Sequence, residues 1–249
     1  MKSEIKVTIR DNNLSQAVKE EMWEVYRHYY FYDKEYFMQR ITKNNFYSFY
    51  TVNDKIVGFT GLRIDRTFLD GRNRLMLYFG QTVVHRDYRG KSLLPITAAK
   101  LLMRYWKDLL FSKIYFWADA LTYKAYLVFA KTVDEMYPSW KRPMTPTIKA
   151  LVDFLGKQHY EDTYCSATGT VQKAQVLVND TTTQIPLPYA EDNDIRYYQE
   201  ANPKFRQGHG LITISPMNRR NVQMIMKRFV KKVFALPKKK QEAVPVLKS

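Results

Sequence analysis

Apolar and polar residues alternate from Glu4 to Arg10, the period of a strand with one buried face, and Asp11 to Asn13 ends the run. From Leu14 the period lengthens: Leu14, Val18, Met22, Val25 and Tyr29 recur at helical spacing and predict a helix to Tyr30. A second helix is expected over Lys34 to Ile41, stopped by Asn44 and Asn45. Phe46 to Val52 and Lys55 to Ile64 read as strands joined by a tight turn at Asn53 and Asp54. A turn around Asp70 and Gly71 leads to a long strand, Leu75 to Val84. A helix entered near Pro95 should run to about Leu110, followed by a strand, Lys113 to Ala118, and a helix from Thr122 to about Met136.

Beyond Pro138 the pattern loosens. Thr147 to Leu155 suits a short helix, Thr163 to Val178 one or two strands, and the stretch from Val178 to Asp194 an exposed loop. Gly210 to Ser215 reads as a last strand. The final helix, Asn218 to Phe234, divides cleanly, with Val222, Ile225, Met226, Phe229 and Val233 on one face and Arg219, Arg220, Lys227, Arg228, Lys231 and Lys232 on the other. The expected organisation is a core over residues 1–137, an extension over 138–236 that completes the sheet, and a disordered basic tail over 237–249.

The chain has 249 residues, of which 45% are hydrophobic and 15% aromatic, enough to bury a core. Cys165 is the only cysteine, which excludes an internal disulfide and a multi-cysteine metal site; no metal is expected. No apolar segment of signal-peptide or membrane-span length is present, so the expectation is a cytoplasmic protein. The net charge of +16 is concentrated after residue 200, where twelve Lys or Arg face a single Glu242. That asymmetry speaks of a partner surface rather than of the fold. Residues 218–240 suit simple exposure on the domain, an anionic membrane surface, or docking to an acidic acyl-carrier protein or, ranked lower, a nucleic acid.

The segment Thr82 to Leu94, TVVHRDYRGKSLL, runs from a strand through a loop with one glycine into a helix N-terminus. First-turn amides and the helix dipole attract phosphate there, and Arg86, Arg89 and Lys91 add positive charge. The segment resembles the pyrophosphate loop of the GNAT superfamily of acyl-CoA-dependent N-acyltransferases, which Val84, His85, Asp87, Tyr88, Arg89, Gly90 and Lys91 match in order. Arg86 stands in place of the usual proline, Ser92 of the second glycine, and Leu94 of a small residue. KIVGFTGLRI resembles that family's preceding hydrophobic-Gly strand.

The resemblance implies an α+β fold with a mixed, mostly antiparallel sheet flanked by helices in the order β-α-α-β-β-β-α-β-α over residues 1–137. It implies acetyl-CoA or another acyl-CoA as cosubstrate and direct attack by a primary amine of a small molecule or peptide. Coenzyme-binding positions are then Thr82, Val83, Val84, Arg86, Arg89, Gly90, Lys91 and Ser92. Thr122 and Phe129 stand where the family has an asparagine and a tyrosine. The usual glutamate base is missing, since no carboxylate lies between Asp70 and Asp87, and Tyr78 falls near its place. Asp119 is the replacement base, with His85 second, and Tyr126 the substitute for the absent acid at Phe129. Each has a structural alternative: Asp119 as a helix cap, His85 as a solvated loop residue, Tyr126 as core. The aromatic cluster Tyr26 to Phe37 suits an acceptor wall or core. Rival functions are an acyltransferase fed by acyl-carrier protein near a membrane and a GNAT-shaped binding protein without catalysis.

Overall fold

The computed structural model describes residues 4–31, 33–173, 176–177 and 184–233. The tail expected over 237–249, and Phe234 of the expected last helix, lie outside the described residues. The first strand, β1 (Lys6–Asp11), leads to α1 (Gln16–Tyr26), whose N-terminus is capped by the Ser15 hydroxyl accepting from the Val18 amide. α1 ends four residues earlier than its periodicity suggests. Tyr30 and Phe31 leave the helical path to form β2 (Tyr30–Phe31), which pairs with the distant β9 (Val176–Leu177). Asp33 then caps α2 (Lys34–Ile41) through the Tyr36 amide.

β3 (Phe46–Val52), β4 (Lys55–Leu69) and β5 (Arg72–Val84) form two successive hairpins. Their turns explain why they close where they do. Asn53 and Asp54 have φ of 49° and 60°, and Asp70 and Gly71 of 50° and 69°, so both turns place left-handed residues at both centres, as two-residue hairpins require. The expected single helix after Pro95 divides into α3 (Leu93–Arg104) and a short α4 (Asp108–Phe111). β6 (Lys113–Ala120) and α5 (Tyr123–Ala130) follow, α5 stopping before the expected Met136.

The extension contributes α6 (Pro146–Tyr160), the short strands β7 (Tyr164–Cys165) and β8 (Thr170–Gln172), then α7 (Asn193–Ala201), β10 (His209–Pro216) and α8 (Arg219–Val233). α7 is absent from the sequence-based expectation, although Asp192 caps it and Ile195 and Tyr198 give it a buried stripe. Among the described residues one sheet of eight strands, in the order β1-β3-β4-β5-β6-β10-β8-β7, runs through both halves. Every neighbouring pair is antiparallel except β5 and β6, which are parallel. The fold class is therefore α+β with a mixed, mostly antiparallel sheet flanked by helices.

The strand period of two sorts side chains onto two faces. Leu75, Leu77 and Phe79 of β5 with Ile114, Phe116 and Ala120 of β6 meet α3, α5 and α8. Met76 and Tyr78 with Tyr115 and Trp117 meet α6 on the other face, where Tyr47, Phe49 and Phe59 also pack under α1 and α2. Buried Asn221 at the start of α8 ties this helix down: its Oδ1 accepts the Asp134 and Glu135 amides, while its Nδ2 donates to the carbonyls of Glu135 and Pro216.

Candidate active site

The parallel pairing of β5 with β6 runs from Arg74 opposite Lys113 to Tyr78 opposite Trp117 and stops. Past that point β6 stays in the sheet through β10, with Leu211 opposite Ala120, whereas β5 turns away with β4. A β-bulge drives the divergence. Phe59 pairs with Val83 and Gly61 with Gly80, so Gln81 and Thr82 together oppose Thr60, and Gln81 takes a left-handed φ of 48°. The bulge is held from inside by the Gln81 side-chain carbonyl, which accepts from Asn44 at 2.8 Å and from the Tyr47 hydroxyl at 3.0 Å. The strands thus part at an apex formed by Tyr78 and Trp117 and leave the β6-facing edge of β5 beyond Phe79 without a strand partner among the described residues.

A cleft of about 1370 Å³ enters this gap from the side of α3 and α5. Its walls include Phe79, Thr82, Val83 and Val84 of β5, Phe116 and Ala118 of β6, and Thr122 and Phe129 beside α5. Across the mouth lies the loop His85 to Ser92. The His85 amide is anchored on the Val57 carbonyl at 2.8 Å, and the Arg86 amide on the Tyr29 hydroxyl at 2.9 Å. Gly90 at φ 71° and Ser92 at φ 58° turn the chain into α3 through left-handed conformations, a cost that Ser92 carries despite its side chain. Ser92 gives α3 no side-chain cap. Among the described residues, the amides of Gly90, Lys91, Ser92, Leu93 and Leu94 donate to no protein acceptor. These five residues surround a helix N-terminus and line the cleft, so their amides have no protein acceptor where an anion could be bound. The Arg89 guanidinium lies 4.6 Å above the Tyr29 ring, and its Nε donates to the Val84 carbonyl at 3.0 Å, leaving the terminal nitrogens available.

Asp119 sits on the opposite face, two residues beyond the apex, buried at 7% exposure. It does not cap α5; Thr122 does, accepting from the Ala125 amide. The carboxylate accepts from the Tyr78 hydroxyl at 3.0 Å to each oxygen, from the Tyr160 hydroxyl, and from Lys173, with which it forms an ion pair. Burial opposes its charge, but Lys173, Tyr160 and Arg63 outweigh burial and hold it below the usual carboxylate range. Burial pulls Lys173 down to about 8 in spite of the carboxylate. Burial, reinforced by the Asp119 charge, pushes Tyr78 up to about 12 and Tyr160 well above the usual tyrosine value. Arg63 stacks 3.9 Å from the centre of the Tyr78 ring and places Nη1 3.1 Å from His159 Nδ1. Arg63 Nε and Trp117 Nε1 are buried donors without a protein acceptor among the described residues. Such donors call for water or a ligand oxygen.

The residues singled out from sequence separate into groups. Thr82, Val83, Val84, His85, Arg86, Arg89, Gly90, Lys91, Ser92, Thr122 and Phe129 all line the cleft. Tyr78 and Asp119 are bonded to one another behind it. Tyr126 belongs to neither group: its hydroxyl donates to the Pro138 carbonyl at 3.0 Å and its ring packs on Tyr198 in the core, because its position on α5 faces away from the gap. His85 accepts weakly from the Asp87 amide at 3.5 Å and lies 3.6 Å from that carboxylate, inside the loop. Tyr160, Lys173 and Arg63 carry no motif that sequence reasoning can read. Tyr30, from the aromatic cluster expected as acceptor wall or core, lines the cleft and donates to the Thr82 carbonyl at 3.2 Å. Burial pushes its hydroxyl up to about 12.

No protein-family model and no curated protein sequence matches the chain. Solved structures do. A probable N-acyltransferase of unknown function from Enterococcus faecalis is 10% identical over 50% of this chain and 32% of its own, with a TM-score of 0.36. A Trypanosoma brucei acetyltransferase is 14% identical over 57% of this chain and 100% of its own, with a TM-score of 0.40. A ribosomal-protein-alanine N-acetyltransferase from Brucella melitensis is 12% identical over 57% of this chain and 99% of its own, with a TM-score of 0.39. The chain thus spans about a third of the first of these proteins.

Proposed function

We propose that the protein is an N-acyltransferase that takes an acyl group from a coenzyme A thioester and passes it to a primary amine, in the manner of the GNAT superfamily its loop resembles. One observation carries the reading: β5 and β6 part beyond Tyr78 and Trp117, with amides that have no protein acceptor among the described residues along the cleft and a buried carboxylate, held below the usual range, behind the point of parting. The cleft, at about 1370 Å³, exceeds the ~300–1,000 Å³ of ordinary small-ligand sites, as a ligand of coenzyme A size requires. Gly90 to Leu94 and the Arg89 and Lys91 side chains suit a diphosphate, and the unpaired edge of β5 from Phe79 suits the amide groups of a pantetheine.

In this reading each residue has a limited task. The β5 edge aligns the thioester at the apex, where orientation supplies much of the rate. Asp119 accepts a proton from the incoming ammonium, which is required because only the neutral amine attacks. Tyr78 and Tyr160 hold the carboxylate in one orientation. Phe129 provides no acid for the departing thiolate, and Tyr30, which lines the cleft and bonds through its hydroxyl to the Thr82 carbonyl, takes that role. A binding protein of the same shape without turnover is the second reading. The enclosure of Asp119 by Lys173 and Tyr160 favours it.

Calorimetric titration with coenzyme A, followed by thiol release from acetyl-CoA in the presence of a panel of primary amines, tests the proposal. Binding with amine-dependent release supports it. Binding with no release for any amine favours the second reading, and no binding removes both.

A further inference from the structure

Lys173 places a primary ammonium directly on Asp119, two residues beyond the point where the two strands part and behind the residues that line the cleft. Its side chain is only 8% exposed, an unusual burial for a lysine. Four elements surround it: Asp119 comes from β6, the Tyr160 ring centre from α6 at 5.5 Å, and the charges of Arg63 on β4 and Arg40 on α2 act on it as well. Tyr78 of β5 touches the same carboxylate. In the reading above, this is where an acceptor amine would give up its proton. The chain has put one of its own amines there.

We propose that Lys173 is itself an acyl acceptor, so that the protein transfers an acyl group from a coenzyme A thioester to Lys173 Nζ. The inference rests on the N-acyltransferase reading of the cleft. The Lys173 ammonium yields one proton to Asp119. The freed Nζ lone pair forms the new C–N bond at the thioester carbonyl carbon, the C–S bond breaks, and the coenzyme leaves as thiolate, which takes up the second proton from the nitrogen. The products are an amide on Lys173, free coenzyme A thiol and one proton returned to solvent through Asp119.

Chemistry distinguishes Lys173 from the surface lysines. Burial lowers it to about 8, against ~10.4 for a solvated lysine, so its neutral fraction near neutral pH is higher by about a hundredfold. Acylation also removes the only cation that ion-pairs with Asp119 among the described residues, so the modified protein should be less stable, an effect that acylation of a surface lysine does not have.

The test incubates the full chain with acetyl-CoA and locates the added acetyl groups by peptide mass spectrometry, with calorimetry of coenzyme A binding run in parallel. The expected result is one acetyl group per chain at Lys173, at least about tenfold ahead of any other lysine, slowed by excess free coenzyme A and rising with pH up to about 8. Lys173→Arg should bind coenzyme A and remain unlabelled; Asp119→Asn should bind it and label more slowly. If coenzyme A binds and Lys173 stays unmodified, or labelling spreads over surface lysines regardless of free coenzyme A, the self-acylation inference is overturned while the donor reading stands. If coenzyme A does not bind, the donor reading fails and this inference with it.

Discussion

Tyr78 lies flat across Gly80: a Cβ on Gly80 would sit 1.9 Å from the Tyr78 hydroxyl oxygen and 2.1 Å from its Cζ. Only a residue without a side chain lets the tyrosine fold back over its own strand and reach Asp119. The ring has little freedom to retreat, since Arg63 stacks on it at 3.9 Å and Trp117 packs at 4.5 Å. Gly80→Ala should therefore destabilise by about 1–3 kcal/mol as an overpacked site. It should also detach Tyr78 from Asp119. Urea unfolding checks the first effect. A double-mutant cycle with Tyr78→Ala checks the second, because most of the cost should vanish when the tyrosine is already gone.

Removing the partner of a buried charge costs more than the pair itself contributes. Lys173→Met leaves Asp119 buried with two tyrosines and no adjacent ammonium, and should cost about 3–5 kcal/mol in urea unfolding. Lys173→Met combined with Asp119→Asn should recover much of that loss. Equal losses in the single and double variants would mean that the ion pair is not the reason for the cost.

The pH dependence of stability follows from the same pair. The folded pKa of Lys173, about 8, lies below its unfolded value of ~10.4, so the unfolded chain binds more protons between them and stability rises with pH from about 8 to about 10. Above about 10 the rise ends, because Tyr78 is held up at about 12 and the unfolded chain gives up its tyrosine protons first. Asp119 is lowered, so its contribution is complete above an unfolded value of ~3.9 and is lost as the pH falls through its folded value. Unfolding free energies measured across pH should show the alkaline rise in the wild type and lack it in Lys173→Met.

Much of the first half is legible in sequence because its signals are local. Ser15 and Asp33 cap their helices, and Asn53-Asp54 and Asp70-Gly71 supply left-handed turns between strands. The departures have tertiary causes. Tyr30 continues the helical period of α1, yet it is drawn into pairing with Leu177 and onto the Thr82 carbonyl. α7 is short and rich in polar residues, and only packing of Ile195 and Tyr198 defines it. The same limit applies to the site. The loop from Val84 to Ser92 carries a contiguous pattern, but Tyr160 reaches Asp119 across 41 positions and Lys173 arrives from the strand edge beyond β8. Their convergence is made by sheet order, which leaves no spacing to read.

Asn221 offers a test of how the cleft wall is held. Its side chain accepts from two amides and donates to two carbonyls, of which, among the described residues, only that of Glu135 has a further donor, the Ser215 hydroxyl, and the segment it holds continues Thr132 and Val133 of the cleft. Asn221→Ala leaves the two amides and the Pro216 carbonyl without this partner and should cost about 1–3 kcal/mol, read as a lowered urea midpoint. Coenzyme A affinity should weaken in parallel, although Asn221 does not itself line the cleft.

Arg89→Gln should weaken coenzyme A binding by about tenfold or more, in line with loss of a charge-assisted contact. Because Arg89 also donates to the Val84 carbonyl, the unliganded melting temperature must be compared. A large affinity loss with a small change in that temperature assigns the effect to the ligand.

The most direct measurement follows the backbone amides of Gly90, Lys91, Ser92, Leu93 and Leu94 by NMR as coenzyme A is added. The account predicts that these resonances shift together and saturate with the calorimetric affinity, and that their hydrogens become protected from exchange. Binding that leaves all of them unchanged would contradict it, since the diphosphate would then be held somewhere other than the mouth of the gap between β5 and β6.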